Sequence, residues 1–360
     1  MSGPDMINSL LGILLRFRKD EVAMAADIEQ MFYRFRVDED HRNYLRFFWY
    51  KENNPDDIMI EYRMTSHVFG NSPSPAIASY GLLKTVEHAD RDVKNFVHHN
   101  FYVDDGLISL PNESDAISLM KRTQSTMKQE GQIRLHKITS NKQAVMDAFD
   151  VSDHGEQLKE IDSDDMIHRS LGLCWRLKDD TFVFTVPTEE KPFTRRGLLS
   201  TVNSLFDPLG FISPIIISGK ILLRECTPEG VDWDEPLPVN NLQKWKEWQS
   251  SLHCLSDIAI PRMMSHTSVS SAQTAEVHIF SDASEKAIAA SAYIKTVSDG
   301  QTSVRFIMGR SKLAPLNGHT IPLLELCGAV LTTELAEIIS VQLGIPLQTM
   351  TCEGGVGQFE

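Results

Sequence analysis

Apolar and polar positions along this chain change period several times, and each change predicts an element. Residues 6 to 19 place apolar side chains at helical spacing and end in Arg16-Phe17-Arg18-Lys19, a basic ending typical of a helix C-terminus. Ala23 to Ile28 then reads as a buried strand with Asp27 near its end. Phe48-Trp49-Tyr50 and Glu61-Tyr62-Arg63-Met64 alternate like strands, and Ser74-Pro75-Ala76-Ile77 opens a helix, with Pro tolerated in its first turn. Between two apolar runs, Asp105-Gly106 predicts the tip of a hairpin, because Asp and Gly accept the positive φ of tight turns. Asp115 to Glu130 is an amphipathic helix with Ala116, Leu119, Met120, Thr123 and Met127 on one face, and Arg134-Leu135-His136-Lys137 is a short strand ending in a base. Leu171 to Trp175 and Thr181 to Val186 flank Lys178-Asp179-Asp180 as a second hairpin. Phe193 to Glu225 is a basic helical unit interrupted by Asp207-Pro208-Leu209-Gly210, which is turn chemistry. An aromatic helix carrying Trp245, Trp248 and Leu252 and a Ser/Thr-rich linker lead to three strands, near 277–284, 288–294 and 304–308. A helix from Pro322 and a strand beginning at Leu347 complete the pattern.

The pattern acquires chemistry from its carboxylates. Asp27 follows an apolar stretch, where an unpaired carboxylate is costly to bury unless a cation or a donor compensates it. Asp27 together with Asp104 and Asp105 forms a set suited to two Mg2+ ions, which take hard oxygen ligands and leave coordination positions for substrate phosphates. Two such ions stabilise the attacking and leaving oxygens of an in-line phosphoryl displacement, so the chemistry indicated is nucleotidyl transfer. A bare turn remains the bland alternative.

Tyr102-Val103-Asp104-Asp105 resembles the palm motif of retroelement reverse transcriptases, and its surroundings are more specific. Gly3-Pro4-Asp5 with Asn8-Ser9-Leu10-Leu11-Gly12, Ala26-Asp27-Ile28-Glu29-Gln30-Met31-Phe32, Val68-Phe69-Gly70 and Ser74-Pro75-Ala76 resemble the polymerase of BEL/Pao-type LTR retrotransposons. Leu171-Gly172-Leu173-Cys174-Trp175 and Phe206-Asp207-Pro208-Leu209-Gly210-Phe211-Ile212-Ser213-Pro214 are similar to the same family, so the likeness runs from about residue 3 to 349. It implies an α+β fold. A reverse-transcriptase palm (1–150) with its fingers largely missing is followed by a primer-grip hairpin and helical thumb (151–225), a connection (226–274) and an incomplete ribonuclease H-like α/β domain (275–360). By the resemblance Asp27, Asp104 and Asp105 hold Mg2+, or Mn2+ in its place, and the partners are an RNA template, a DNA primer, RNA/DNA hybrid, dNTPs and other domains of a pol polyprotein. Phe32 would pack under the sugar, or else is a core aromatic. Phe69 and Gly70 would lead into the helix along the incoming nucleotide, with Pro73 a departure from the family. Lys137 would be the general acid for departing pyrophosphate, or else a surface lysine.

Strand, strand, strand, helix, with Asp282 on the first strand and Glu325 on the helix, resembles the ribonuclease H fold, and the two carboxylates would ligate metal there. The bland reading of Glu325 is a helix-start acid favoured by the macrodipole. Lys312-Leu313-Ala314-Pro315-Leu316 and Ile321-Pro322-Leu323-Leu324-Glu325-Leu326 match the family version, except that Leu323 stands where an arginine is expected. The resemblance further implies a third carboxylate on the strand after the helix. Thr351-Cys352-Glu353-Gly354-Gly355-Val356-Gly357 stands there instead, which predicts crippled hydrolysis because a Gly-rich tail holds Glu353 loosely.

Composition narrows these readings. The 360 residues, 42% hydrophobic and 23% charged, allow two or three domains with real cores. A net charge of −14 argues against a generic nucleic-acid binder, although windows near 191–224 and 301–324 are basic and could follow a phosphate backbone, while Asp147 to Asp165 is an acidic linker. Five scattered cysteines form neither a disulfide framework nor a zinc pattern, and no run approaches a membrane span or a signal peptide. The expectation is an intracellular protein, cytoplasmic or nuclear, without membrane contact. The short stretch before Asp27 makes the chain read as a fragment or decayed copy with weak or absent primer extension. A different class of function stays open: a non-catalytic relic that still binds RNA/DNA duplex through its backbone. An aspartic protease fits poorly, since Asp282-Ala283-Ser284 does not match the paired Asp-Thr/Ser-Gly turns such enzymes use.

Overall fold

Why Asp27 is placed as it is follows from the strand that carries it. In the computed structural model, which describes the chain except residues 1–2, 156–157, 160–165, 187–188, 229, 317–319 and 355–360, that strand is fully formed. The elements of the first half run α1 (Leu10–Phe17), β1 (Val22–Ile28), β2 (Arg46–Tyr50), β3 (Met59–Arg63), α2 (Ser74–Thr85), α3 (Arg91–Asn100), β4 (Phe101–Tyr102), β5 (Asp105–Leu110), α4 (Glu113–Gly131), β6 (Leu135–Ser140) and α5 (Gln143–Met146). Those of the second half run β7 (Leu158–Lys159), β8 (Met166–Ser170), β9 (Leu173–Arg176), β10 (Thr181–Val183), α6 (Arg195–Asn203), α7 (Ser213–Cys226), α8 (Leu242–Ser251), β11 (Ala259–Pro261), β12 (Thr274–Ala283), β13 (Ala287–Ser298), β14 (Gln301–Leu313), α9 (Ile321–Leu343) and β15 (Met350–Gly354). The chain divides into two units: Met1–Ile13, Ala23–Ile108 and Asn112–Glu156, and then Leu14–Val22, Ser109–Pro111 and Gln157–Glu360.

The first unit is built on an antiparallel sheet of order β4-β5-β1-β6. Val22 to Ala26 and Ile28 are all buried, which is why β1 is a continuous apolar run rather than an alternating one. Helix α4 buries Ala116, Leu119, Met120, Thr123 and Met127, the face its spacing predicts. It starts where the Asn112 side chain accepts from Asp115 N at 2.9 Å and stops at Gln132 in the left-handed region. Helix α2 begins at Ser74 with Pro75 in its first turn, as expected. Helix α1 is shorter than its apolar pattern, starting only at Leu10.

The second unit contains an antiparallel sheet β11-β10-β9-β8-β7, a helical layer and a third sheet of order β14-β13-β12-β15. The predicted hairpin around Asp179-Asp180 forms, with Thr181 opposite Arg176. The helical layer packs Leu198, Val202, Trp245, Trp248 and Leu252 into one core, and Trp248 fills the space beside Gly219. Between α6 and α7 the Asp207 carboxylate holds the turn, accepting from Phe211 N and Ile212 N at 2.9 and 2.7 Å. Gly210, at φ 80°, is obligatory there: a Cβ would lie 2.1 Å from the Gly309 carbonyl oxygen.

Two arginines of this unit are almost fully buried. Arg262, 0% exposed, forms a bidentate pair with Asp180 at 2.7 and 2.8 Å and also donates to the Phe17, Asp20 and Glu21 carbonyls. Arg18 donates to the carbonyls of Arg262, Ile307 and Phe306.

In the third sheet β12 and β13 pair from Thr274 opposite Val297 to Ala283 opposite Ile288, and β15 runs parallel to β12 after the α9 crossover. Two expectations need correction here. Leu347 to Thr349 form a 3-10 turn, and the strand begins at Met350. Glu353 is not on a loose tail: it lies in β15 level with Phe280, because the ladder extends to Gly354. Gly355-Val356-Gly357 and most of the acidic stretch between 156 and 165 lie outside the described residues.

Candidate active site

Strand β1 delivers Asp27, and the β4–β5 hairpin delivers Asp104 and Asp105 beside it, because Ile28 N donates to the Asp104 carbonyl at 3.0 Å. The turn is not where the Asp-Gly signal puts it. Tyr102 pairs with Asp105 and Phe101 with Gly106, so the two-residue loop is Val103-Asp104 and Asp105-Gly106 starts the second strand. Val103 takes φ 58°, a region costly for a β-branched residue, and this is local strain of the kind that collects at functional turns. Gly106 has a packing reason instead: a Cβ there would come within 2.6 Å of the Phe101 ring.

Asp27 is answered from β6. Ala25 pairs with Thr139 and Asp27 with His136, so one residue of β1 faces two of β6 in a β-bulge, and Lys137 occupies it at φ 51°. A bulge re-aims side chains that would otherwise point to opposite faces. Here both neighbours reach one carboxylate: His136 Nε2 lies 3.1 Å from Asp27 Oδ1, and the Lys137 ammonium donates to Oδ2 at 3.2 Å. Sequence reasoning picked out Lys137 and missed His136, since the bulge that turns it has no local signature.

Asp104 and Asp105 have no such partners among the described residues. Burial pushes both carboxyls above the ordinary carboxylate range. For Asp105 the rise reaches about 6, with Asp104 and then Asp27 adding repulsion and Lys137 opposing it. Buried, mutually repelling carboxylates fit a hard divalent cation by donor chemistry. Among the described residues no three His, Cys, Asp or Glu side chains are grouped tightly enough to hold one ion as they stand.

Phe32, half-buried in a 3-10 turn after β1, meets Phe69 edge-on with ring centres 5.9 Å apart. Phe69 is 84% exposed and is followed by Gly70 at φ 85°, so the two aromatics and the glycine predicted to handle substrate are brought together in this unit.

In the second unit Asp282 sits exposed near the end of β12. Glu325 stands in the first turns of α9, and one turn later a Cβ placed on Gly328 would lie at ordinary van der Waals distance, 3.5 Å, from the Ser281 side chain. This turn of α9 therefore faces the Ser281 side of β12, while the side chains of Ser281 and Asp282 alternate to opposite faces of the sheet.

Comparison with known proteins adds the family context. Residues 194–353 match the Pao retrotransposon-like RNaseH-like domain. The matched stretch therefore starts at the cap of α6 and runs through β15. No curated protein sequence matches the chain. Three solved structures of the foamy viral protease-reverse transcriptase share its fold. The complex with RNA/DNA hybrid gives a TM-score of 0.56 at 15% identity, covering 100% of this chain and 42% of that one. The dRH form with ds DNA gives 0.59 at 15%, with 99% and 54% covered. The complex with dsDNA gives 0.57 at 16%, with 99% and 64% covered. The chain thus spans between two-fifths and two-thirds of the length of these proteins. Among the described residues, no helix is long and apolar enough to cross a membrane.

Proposed function

We propose that this chain is a segment of a BEL/Pao-type pol polyprotein, an RNA-directed DNA polymerase palm (1–150), primer-grip and thumb region (151–225) and connection (226–274) joined to a ribonuclease H-like domain (275–360). The observation that carries the reading is the meeting of Asp27 with Asp104-Asp105 across β1 and β5, where burial and mutual repulsion raise Asp105 to about 6. The foamy viral proteins of similar fold, solved in complex with RNA/DNA hybrid and dsDNA, support duplex nucleic acid as the ligand.

Asp27, Asp104 and Asp105 would hold Mg2+ or Mn2+, which when bound neutralises the phosphates and activates the primer hydroxyl. The chain's own residues do the rest. The bulge holds Lys137 against Asp27, a position from which its ammonium can give a proton to departing pyrophosphate. Phe32 and Phe69 supply an aromatic wall for the sugar and base of a dNTP, with Gly70 leaving the backbone free beside it. Asp282 and Glu325 would hold the divalent ions of the RNA-cleaving site on the hybrid. The second reading, duplex binding without catalysis, draws support from Asp27 being engaged by His136 and Lys137.

Primer extension on an RNA template decides between them. The account predicts Mg2+- or Mn2+-dependent addition of dNTPs, however slow, that Asp104→Asn removes. Duplex binding with equal extension in the two proteins would overturn the polymerase reading.

A further inference from the structure

The second unit contains a cavity of about 870 Å³ that reaches Asp282 at one end and is otherwise not used by the proposed chemistry. Its floor is the face of the third sheet opposite α9. The cross-strand register Phe280–Ser291–Gly309 and Asp282–Ala289–Ser311 places these side chains on one face, while Ser281 packs toward α9. The roof is the Gly210-Phe211 turn, the first turn of α7, and β11.

Three properties of the cavity specify a ligand. First, its walls are aromatic. Phe211 and Tyr293 each stand 5.6 Å from Phe306, and Phe280 stands 6.1 Å from Tyr293, so a connected set of rings faces the space. Phe280 is 41% exposed, which no core packing requires.

Second, one end is cationic without matching acids among the described residues. Arg18, only 2% exposed, is held by three carbonyls and pairs with no carboxylate among the described residues, and it lies over the Phe211 ring at 4.8 Å. Its acidity is raised, to a pKa of about 9, by burial and by the neighbouring charges of Arg262 and Arg305. Arg305, which also lines the cavity, bonds the His266 ring and not an acid. The N-terminus of α7 brings Ser213 into the same space, adding positive dipole.

Third, the opposite end carries the acceptor Asp282, four residues along β12 from the Tyr293 and Phe306 row, or ~13 Å at strand spacing. A buried charge without a counter-charge is expensive unless a ligand answers it. Ligand pockets of this volume typically combine apolar walls with a few converging polar groups.

We propose that this cavity, when no divalent ion occupies Asp282, binds a single nucleotide, its ring stacked on Phe280 and Tyr293, its phosphate toward Arg18 and Arg305, and its base edge toward Asp282. Free mononucleotide and the unpaired 5′-phosphorylated end of a strand share this chemistry. The site belongs to the second unit and Asp27, Asp104 and Asp105 to the first, so it stands or falls separately from the polymerase reading.

Isothermal titration of the full chain with dAMP, adenosine, inorganic phosphate and 5′-phosphorylated tetradeoxyadenylate tests it. One dAMP should bind per chain, more tightly than adenosine or phosphate alone. Phe280→Ala and Arg305→Gln should each weaken it by about fivefold or more, the low end for losing one base stack. Ser291→Trp, which fills the floor, should abolish binding while circular dichroism confirms the fold. If tetradeoxyadenylate displaces dAMP the occupant is a strand end, and if it does not the occupant is the free nucleotide. Absence of dAMP binding, or binding that all three variants leave unchanged, overturns the proposal.

Discussion

Replacing Asp105 by Asn should stabilise the metal-free protein, and the gain should depend on pH in a defined direction. In the folded chain the Asp105 carboxyl titrates near 6 instead of an ordinary 3.8, chiefly because it is buried and secondarily because Asp104 and Asp27 repel it. Its proton is therefore held more tightly folded than unfolded. The associated stability is fully present below about pH 3.8 and is lost as pH rises through about 6. A shift of this size corresponds to about 3 kcal/mol, which partial exposure of the side chain reduces to ~2 kcal/mol. Asn carries no charge at any pH, so Asp105→Asn should match the wild type near pH 3 and exceed it by ~2 kcal/mol at pH 8. For a domain of this size that is a shift in Tm on the order of 5 °C. Urea denaturation followed by circular dichroism at both pH values measures the gap. Saturating Mg2+ should narrow it at pH 8, since a cation that binds only the folded wild type stabilises it by mass action. A gap that is the same at both pH values, or a variant less stable at pH 8, would refute the electrostatic reasoning.

Asp180→Asn should cost about 3–5 kcal/mol in denaturant titrations, because Arg262 is 0% exposed and Asp180 is its carboxylate partner. Gly328→Ala should be tolerated or gain up to ~1 kcal/mol of helix propensity, the nearest atoms lying at 3.5 Å. Gly210→Ala should be severely destabilising, since φ 80° and the Gly309 carbonyl both oppose a Cβ; expression and thermal melts compare the two.

Elements with long one-sided patterns were legible from residues alone. The five buried positions of α4, the buried run of β1 and the Asp179-Asp180 hairpin all appear where their periods place them. What escaped was set by pairing between distant segments. The Asp105-Gly106 dipeptide looks like a turn, yet Gly106 is needed because Phe101 leaves no space for a Cβ, and Val103 absorbs the positive φ against its own preference. His136 reaches Asp27 only because of a bulge that depends on β1. Glu353 gains a strand position from the parallel ladder with β12, which no local signal around a Gly-rich stretch can show.

Electron paramagnetic resonance titration with Mn2+ addresses the convergence of Asp27, Asp104 and Asp105 most directly. The account predicts Mn2+ bound by the wild type and displaced by Mg2+, with the same binding event weakened by Asp27→Asn, Asp104→Asn and Asp105→Asn but not by Asp282→Asn. Binding that survives all three first-unit substitutions would contradict it.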